Sequence, residues 1–503
     1  MNYVNGKIVS TEECDAILEN IGEMILQTMR KPPIDVEAVI RACGRMTSNI
    51  GGLDIVKRLP ELGINPAMAR MYMDQIEYMF SEASIRKRMR IELGDDYDKP
   101  RTLTSIGGAT APAPSHTDTI VPALTPQSQA PTVAQTQSAI QIPTIPQALT
   151  ATQTIAPLGV LFHITAGNVD GLPFVSLLDG LLTGNINIVK LPKEEGGITV
   201  SLLEELFAIE PTLKEYVYVF DYSSKDAHAM KTLAAVADAV VVWGGDDAVS
   251  AVRAMAAPNT KIIEWGHKIS FAYVTKAGIY STSECAGKNA GDSCSTESEY
   301  ETINNETKVT NATALEKLAR NICVTNQLLC SSCQGVYLDT SDMQDIYDFC
   351  VSFLPILENV SQAYPFAFDS AEKLFVQAKV TLDLYHQNIV NRNSAHRIFR
   401  GKDCSVTACP DSKLETSIMY RNIWVKPLPR ESILSLRPYK GYLQTAALIC
   451  AEGEYDELSR RLLQTGVVKV SDGYEMSNFA FGEAHDGMFP LRCYTRLVSV
   501  QDN

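Results

Sequence analysis

The sequence predicts a parallel α/β sheet covered by helices on both faces, and two observations carry that prediction. Five apolar, β-rich runs recur at intervals of roughly 22 to 30 residues: Gly159 to Thr165, Ile186 to Leu191, Tyr216 to Tyr222, Ala239 to Gly245 and Lys261 to Trp265. Between them lie helical patterns such as Thr199 to Ile209 and Ala248 to Ala256. Strands that are apolar throughout, with amphipathic helices between them, are buried on both sides, as helices on each face of a parallel sheet require.

In front of this unit, residues 11 to 95 read as helices. Ala16, Ile17, Ile21, Met24, Ile25 and Met29 keep a helical apolar spacing, and Ala67 to Arg90 alternates apolar and charged residues with the same period. From Arg101 to about Ala156 the composition shifts to Thr, Ala, Pro, Gln and Ser, with Arg101 and Asp118 the only formal charges. Too few apolar side chains are present there to offset the entropy of ordering, so a flexible linker, or an arm ordered by a partner surface, is expected. Residues 276 to 313 are a second polar stretch, read as a surface insert. After it, strand-like runs occur at Gly335 to Leu338, Ala446 to Cys450 and Gly466 to Val470, with helices at Met343 to Leu357 and Tyr455 to Leu463. The β-prone run Leu491 to Val500 is expected to leave an edge free to pair with another chain.

The chain has 503 residues, enough for two or three cores. Its 44 Lys and Arg against 59 Asp and Glu give a net charge of -15, which disfavours nucleic acid and anionic membranes as partners. The basic run Arg86 to Arg90 is read as a solvated helix face. The first residues lack an apolar leader core, and nowhere do eighteen apolar residues follow one another. Twelve scattered cysteines in so large a chain are expected to be free thiols, and the expected compartment is the cytoplasm.

Chemistry is sought beyond the carboxyl ends of the strands, where such sheets bind ligands. Those positions are Ala166-Gly167-Asn168, Lys190 to Lys193, Gly244-Gly245-Asp246 and Glu264 to Lys268. None carries the G-x-G-x-x-G dinucleotide fingerprint. Downstream, Asn321 to Gln334 reads N-I-C-V-T-N-Q-L-L-C-S-S-C-Q and sets Cys330 in a small polar turn after an apolar run, where a thiol can face a cleft. Cys330 and Cys333 also form a C-x-x-C, open to a redox or half-zinc reading, although the only comparable second pair is the looser Cys404 and Cys409. His267 and His485 are read as hydrogen-bonded structural histidines.

In their order, G-V-L-F-H-I-T-A-G-N-V (Gly159 to Val169), G-N-I-N-I-V-K-L-P (Gly184 to Pro192), V-V-W-G-G-D-D-A-V (Val241 to Val249), E-W-G-H-K-I-S-F (Glu264 to Phe271), the Cys330 segment and the tail elements E-A-H-D-G and C-Y-T-R-L-V-S-V resemble the LuxC-type acyl-CoA reductases of the aldehyde dehydrogenase superfamily. The resemblance covers about Pro157 to Val500. It implies an aldehyde dehydrogenase-like α/β fold with a Rossmann-type cofactor domain, an α/β catalytic domain and a small oligomerisation element. The implied parts are an N-terminal helical portion (1–100), the low-complexity arm (101–156), a cofactor domain (157–265), a catalytic domain (266–475, with the insert) and a C-terminal oligomerisation strand region (476–503).

The resemblance also implies an NADPH-dependent reduction of a fatty acyl-CoA or acyl-protein thioester to the aldehyde through an acyl-cysteine, with a short-chain, CoA-acylating, NAD-linked dehydrogenase as the alternative. Cys330 would be the nucleophile, Asn168 and the Cys330 N–H the oxyanion donors, and Glu264 the acid/base. Lys190, Gly244 and Gly245 would face the cofactor, NADPH in preference to NADH, and no metal is implied. Implied partners are an acyl-CoA or an acyl-protein synthetase as donor and further copies of the chain in a dimer or tetramer. Cys333 stands where the family usually has proline, which opens a Cys330–Cys333 disulfide under oxidising conditions.

Overall fold

The computed structural model describes residues 2–48, 76–95, 101–104, 150–167, 171–193, 197–279, 313–365, 395–478 and 482–501, with a few further positions between them. Three sheets organise these residues.

The first has the order β2-β1-β7-β6-β5-β8-β9, from β1 (Asn2–Val4), β2 (Lys7–Val9), β5 (Val160–Ile164), β6 (Ile186–Lys190), β7 (Val217–Phe220), β8 (Ala239–Gly244) and β9 (Lys261–Gly266). The strands from β5 to β9 run parallel, in the five places expected from their apolar runs. Helices Leu172–Leu182 and Ile198–Ile209 cover Val189, Leu191 and Val219 on one face, with the N-terminal helix Val36–Ser48 outside them. Helices Thr11–Met29 and Ala227–Ala235 cover Phe162, Ile188, Tyr218 and Val240 on the other. The helix at Thr11 starts where it does because Ser10 and Glu13 form a reciprocal cap, each side chain accepting from the other's backbone N–H.

His163 and Asn187 are buried polar side chains within the apolar strands, and they satisfy each other. His163 in β5 meets Ser176 Oγ at 2.7 Å and Asn187 Oδ1 of β6 at 3.0 Å. Full burial pushes this imidazole down to about 4, so it is neutral and structural.

The N-terminal hairpin was not anticipated. Asn5 and Gly6 take φ of +51° and +74°, the backbone of a two-residue hairpin turn, and the paired strands extend the sheet antiparallel through β1 and β7. An Asn-Gly pair between short apolar runs was the available signal.

The second sheet has the order β12-β13-β14-β11-β10-β15-β16: β10 (Ile269–Val274), β11 (Cys333–Leu338), β12 (Arg397–Arg400), β13 (Ser405–Ala408), β14 (Asn422–Pro427), β15 (Leu443–Ile449) and β16 (Lys469–Ser471). All neighbours are parallel except β12 and β13. Helices Ala314–Thr325 and Met343–Ala363 pack on one face, and Tyr455–Thr465 on the other.

The third sheet corrects only the two ends of the 101–156 stretch, read as a linker or arm, which are strands. These are β3 (Arg101–Thr104) and β4 (Thr150–Pro157), and β4 lies antiparallel between β3 and β17 (Thr495–Gln501). The ladder partner comes from the far end of the chain, with Ile155 opposite Leu497, so local composition could not reveal it. Residues 105–149 and most of the 276–313 insert lie outside the described residues. Among the described residues no helix is long and apolar enough to cross a membrane.

In the first sheet the chain leaves β5 toward β6 on one side and returns to β8 on the other, so β5 and β8 flank the topological switch point. Gly167 and Gly245 follow these two strand ends, where open parallel sheets form the crevice that takes a ligand.

Candidate active site

Cys330 lies in the turn between the helix Ala314–Thr325 and β11, and the local sequence explains why the helix stops. Asn326 and Gln327 take left-handed φ values of +46° and +64°, a region that asparagine tolerates better than most residues. The stop is fixed from outside by Arg421, whose fully buried guanidinium donates to Asn326 Oδ1 at 3.1 Å. It also donates to Ser361 and to the carbonyls of Cys323 and Tyr364.

The turn then closes on itself. The Leu329 N–H donates to Ser332 Oγ at 3.1 Å and the Ser332 N–H to the Leu329 carbonyl at 3.0 Å. Asn321 braces it from the helix, accepting from the Cys333 N–H at 3.1 Å and donating to Ser477 Oγ at 2.8 Å.

Ser270 couples this turn to the second sheet: its hydroxyl donates to the Cys330 carbonyl at 2.7 Å and accepts from the Thr445 N–H at 3.0 Å. That link brings Gln444 of β15 beside the half-buried thiol. Gln444 Nε2 donates to Asp486 Oδ1 at 2.7 Å, while its buried Oε1 has no hydrogen-bond partner among the described residues. Asp486 and Gly487, with φ of +49° and +80°, form the tip of a tight turn closed by the Met488 N–H on the His485 carbonyl at 2.9 Å. The turn points the Asp486 carboxylate inward, leaving its side chain 4 % exposed.

Electrostatics follow from this packing. Burial raises the Cys330 thiol above its ordinary value. The Gln444 amide opposes that shift, the Asp486 charge reinforces it, and the N–H groups of Ser331 and Cys330 oppose it. At neutral pH the resting form is therefore the thiol. His485 packs against the indoles of Trp243 and Trp265, with centroids at 5.4 and 5.1 Å, and burial lowers its pKa.

Cys333 belongs to the core. Its thiol donates to the Gly335 carbonyl at 3.2 Å, it packs with Val336 and Phe353, and desolvation pushes it up to about 12. Cys330, Cys333, Cys404 and Cys409 are all free thiols. Among the described residues no group of three His, Cys, Asp or Glu is placed to hold a metal.

The other sequence candidates divide. Asn168 lies outside the described residues. Lys190 sits at the end of β6 with Ile164 of β5 as its register partner, bordering the crevice. It is buried, and desolvation lowers its pKa, with no carboxylate among the described residues acting on it. A buried ammonium in that state fits an anionic group such as a nucleotide phosphate. Gly244 ends β8 and Gly245 caps the helix after it, and a Cβ there would stand 3.0 Å from Ala248 Cβ and 3.1 Å from His267 Nδ1 respectively. The turn itself therefore favours small residues at both positions. The helix that follows carries Asp246 and Asp247 in its first turn, with Asp246 accepting from the Tyr442 hydroxyl at 2.8 Å.

Glu264 accepts from Arg253 Nε at 2.7 Å. It alternates with Ile263 and Trp265, which face the Trp243 and Tyr494 side of β9, so its own side chain leaves the opposite face. The His485–Asp486 turn packs on the Trp265 side. Gln444, Asp486, Ser270 and Arg421 were missed as site residues. Only the Asp-Gly pair in E-A-H-D-G carried a local signal, that of a turn.

The strand order, the crevice and the cysteine turn together define a protein of the aldehyde dehydrogenase fold. A solved NAD-dependent benzaldehyde dehydrogenase from Corynebacterium glutamicum matches with a TM-score of 0.61 at 11% identity, over 100% of this chain and 94% of its own. The glyceraldehyde-3-phosphate dehydrogenase GapN from Methanocaldococcus jannaschii, complexed with NADP, matches with a TM-score of 0.61 at 10% identity, over 100% and 98%.

Within that class, the family model for acyl-CoA reductase (LuxC) matches residues 146–497, and the chain belongs to that family. A long-chain acyl-protein thioester reductase from Aliivibrio fischeri is 23% identical over 348 residues, and long-chain acyl-protein thioester reductase 2 from Photobacterium leiognathi is 22% identical over 348 residues. Each match takes in 68% of this chain and 64% of the relative's length.

Proposed function

We propose that this chain reduces a fatty acyl thioester to the aldehyde through an acyl-Cys330 intermediate. The observation that carries the reading is the Cys330 turn: a thiol set at a helix end, braced on both sides and supplied with backbone N–H donors. Cys330 Sγ attacks the thioester carbonyl and expels the donor thiol, leaving the acyl group on the enzyme. The Cys330 N–H and the Asn168 amide stabilise the oxyanion, and removing one such donor typically costs about 100- to 1000-fold in rate.

A reduced nicotinamide held in the crevice would supply hydride to the acyl carbon. Lys190 would hold its phosphate-bearing end, and Gly244 and Gly245 would let it approach the backbone. The buried ammonium of Lys190, without an ion-pair partner among the described residues, supports a phosphate contact and so NADPH in preference to NADH. We assign the acid/base role that the family resemblance implies to Glu264, which at rest is held by Arg253 on the face of β9 opposite Trp265. The names of the relatives support an acyl-protein or acyl-CoA donor. The outer edge of β17, with exposed Leu497 and Val500, supports assembly into a dimer or tetramer.

The test is incubation with acyl-CoAs of graded length and NADPH or NADH. CoA release and NADPH consumption are expected, and Cys330→Ala should abolish both. Full activity in that variant would overturn the assignment.

A further inference from the structure

Beside the edge of the second sheet, one helix turns its apolar side outward. Residues 374, 375, 378–382 and 385 are helical, and at the helical period Leu374, Phe375, Ala378, Leu382 and Tyr385 fall on one stripe about 100° wide. Leu374, Phe375, Leu382 and Tyr385 are each more than half exposed, whereas Val380, on the opposite side, is 5 % exposed. A surface helix of a globular protein ordinarily turns such a stripe to the core. Here the stripe meets solvent and the helix packs by its other side.

Cations border the stripe on both flanks. Lys379 is exposed on one. On the other, Thr381 Oγ1 accepts from Arg400 Nη1 at 3.2 Å, and Arg400 belongs to β12, the edge strand of the second sheet. The same edge strand carries Arg397 and is followed by Lys402, both exposed. The carboxylates described at this edge are Glu358, which accepts from the Lys402 N–H at 2.9 Å, and Asp403, and both are half-buried.

We propose that this stripe docks on an anionic lipid surface. The helix lies in the plane of the interface, with Leu374, Phe375, Leu382 and Tyr385 at the boundary between headgroups and acyl chains and with Lys379 and Arg400 on the headgroups. An exposed apolar stripe flanked by Lys and Arg is the pattern of an interfacial helix, held by apolar burial and by attraction to anionic lipid together. Docking is peripheral, since among the described residues no helix is long and apolar enough to cross a membrane. The net charge of -15 opposes attraction of the whole molecule to such a surface, which confines contact to this cationic edge. A second copy of the chain meeting the stripe face to face sets Lys379 and Arg400 against their own counterparts, and that like-charge contact disfavours it. Lipid docking needs neither thioester nor nicotinamide, so it stands or falls apart from the chemistry at Cys330.

The test is sedimentation of the full-length protein with vesicles of phosphatidylcholine and phosphatidylglycerol in equal parts, and with vesicles of phosphatidylcholine alone. Wild type should pellet with the anionic vesicles in preference to the neutral ones, and added salt should weaken that binding by screening the cations. Phe375→Ser and Leu382→Ser should each lower the affinity about tenfold or more, as expected when one large apolar side chain no longer enters the boundary. Lys379→Glu should lower it several-fold on the anionic vesicles only. All three side chains are exposed, so the urea unfolding midpoints of the variants should stay near that of wild type.

Wild type that remains in the supernatant at every lipid concentration would overturn the proposal, as would serine variants that bind like wild type. Equal binding to both kinds of vesicle would remove the cations from the contact and overturn the anionic assignment. Loss of a dimer or tetramer in the serine variants, read by light scattering, with no vesicle binding by wild type would assign the stripe to a protein contact and equally overturn it.

Discussion

Arg421 Nε donates to Asn326 Oδ1 at 3.1 Å across 95 residues of sequence, so a fully buried guanidinium holds the left-handed residue at which the helix before Cys330 ends. Replacing it leaves the Ser361, Cys323 and Tyr364 acceptors without a donor. Arg421→Met should destabilise the protein by about 3 kcal/mol or more in urea unfolding. Iodoacetamide labelling should then show a less uniform Cys330 environment. An unchanged unfolding midpoint would show that the helix end is fixed by other contacts.

The reactivity of Cys330 should rise with pH and keep rising beyond about 8.5, the ordinary thiol value. The sign follows from burial and the Asp486 charge, which favour the neutral thiol and move the thiolate to higher pH. Cys333, pushed up to about 12 by desolvation, should stay unlabelled over the same range. Peptide mapping after timed alkylation measures both, and a plateau for Cys330 near neutral pH would mean that the amide donors outweigh burial.

Cys333→Ala should keep wild-type NADPH consumption and lose about 1–2 kcal/mol of stability, since only a small buried thiol is removed. Cys333→Pro should cost more, because it also deletes the N–H that donates to Asn321 Oδ1 at 3.1 Å. Loss of activity in the alanine variant at unchanged stability would assign Cys333 a chemical role.

Lys190→Met should raise the KM for NADPH by about tenfold while leaving kcat within about twofold, as expected when one charge-assisted contact to a phosphate is lost. Folding should not suffer, because the buried ammonium is desolvated and no carboxylate among the described residues acts on it. Unchanged KM values for NADPH and NADH would remove Lys190 from the cofactor site.

Glu264 and Arg253 test the second half of the reaction. Their pair is solvent-exposed on the arginine side, at 63%, so Arg253→Gln should change stability by about 0–1 kcal/mol. Glu264→Gln should reduce turnover by about 100-fold with the same small stability change. Full turnover in Glu264→Gln would leave the reduction half without this acid/base.

Much of the fold was legible in the sequence because its signals are local. The five runs from Gly159 to Trp265 are predominantly apolar on both sides of the pleat, as strands buried on both faces must be, and each became a strand of the first sheet. Cys330 was legible for a similar reason: a polar turn after an apolar helix is written in neighbouring residues.

Only the tertiary structure decided what surrounds the thiol. Gln444 and Asp486 lie 114 and 156 positions beyond Cys330 and reach it because β15 lies beside β10 and the His485–Met488 turn folds back onto β15. The pairing of β4 with β17 is of the same kind, joining two segments that have no local reason to be strands together. The direction of Glu264 was likewise set by the pleat of β9, which alternates its side chain with Trp265 and delivers it to Arg253. Composition and periodicity determine which segments become strands and helices; long-range packing determines which side chains meet, and so the surroundings that keep Cys330 in its thiol form.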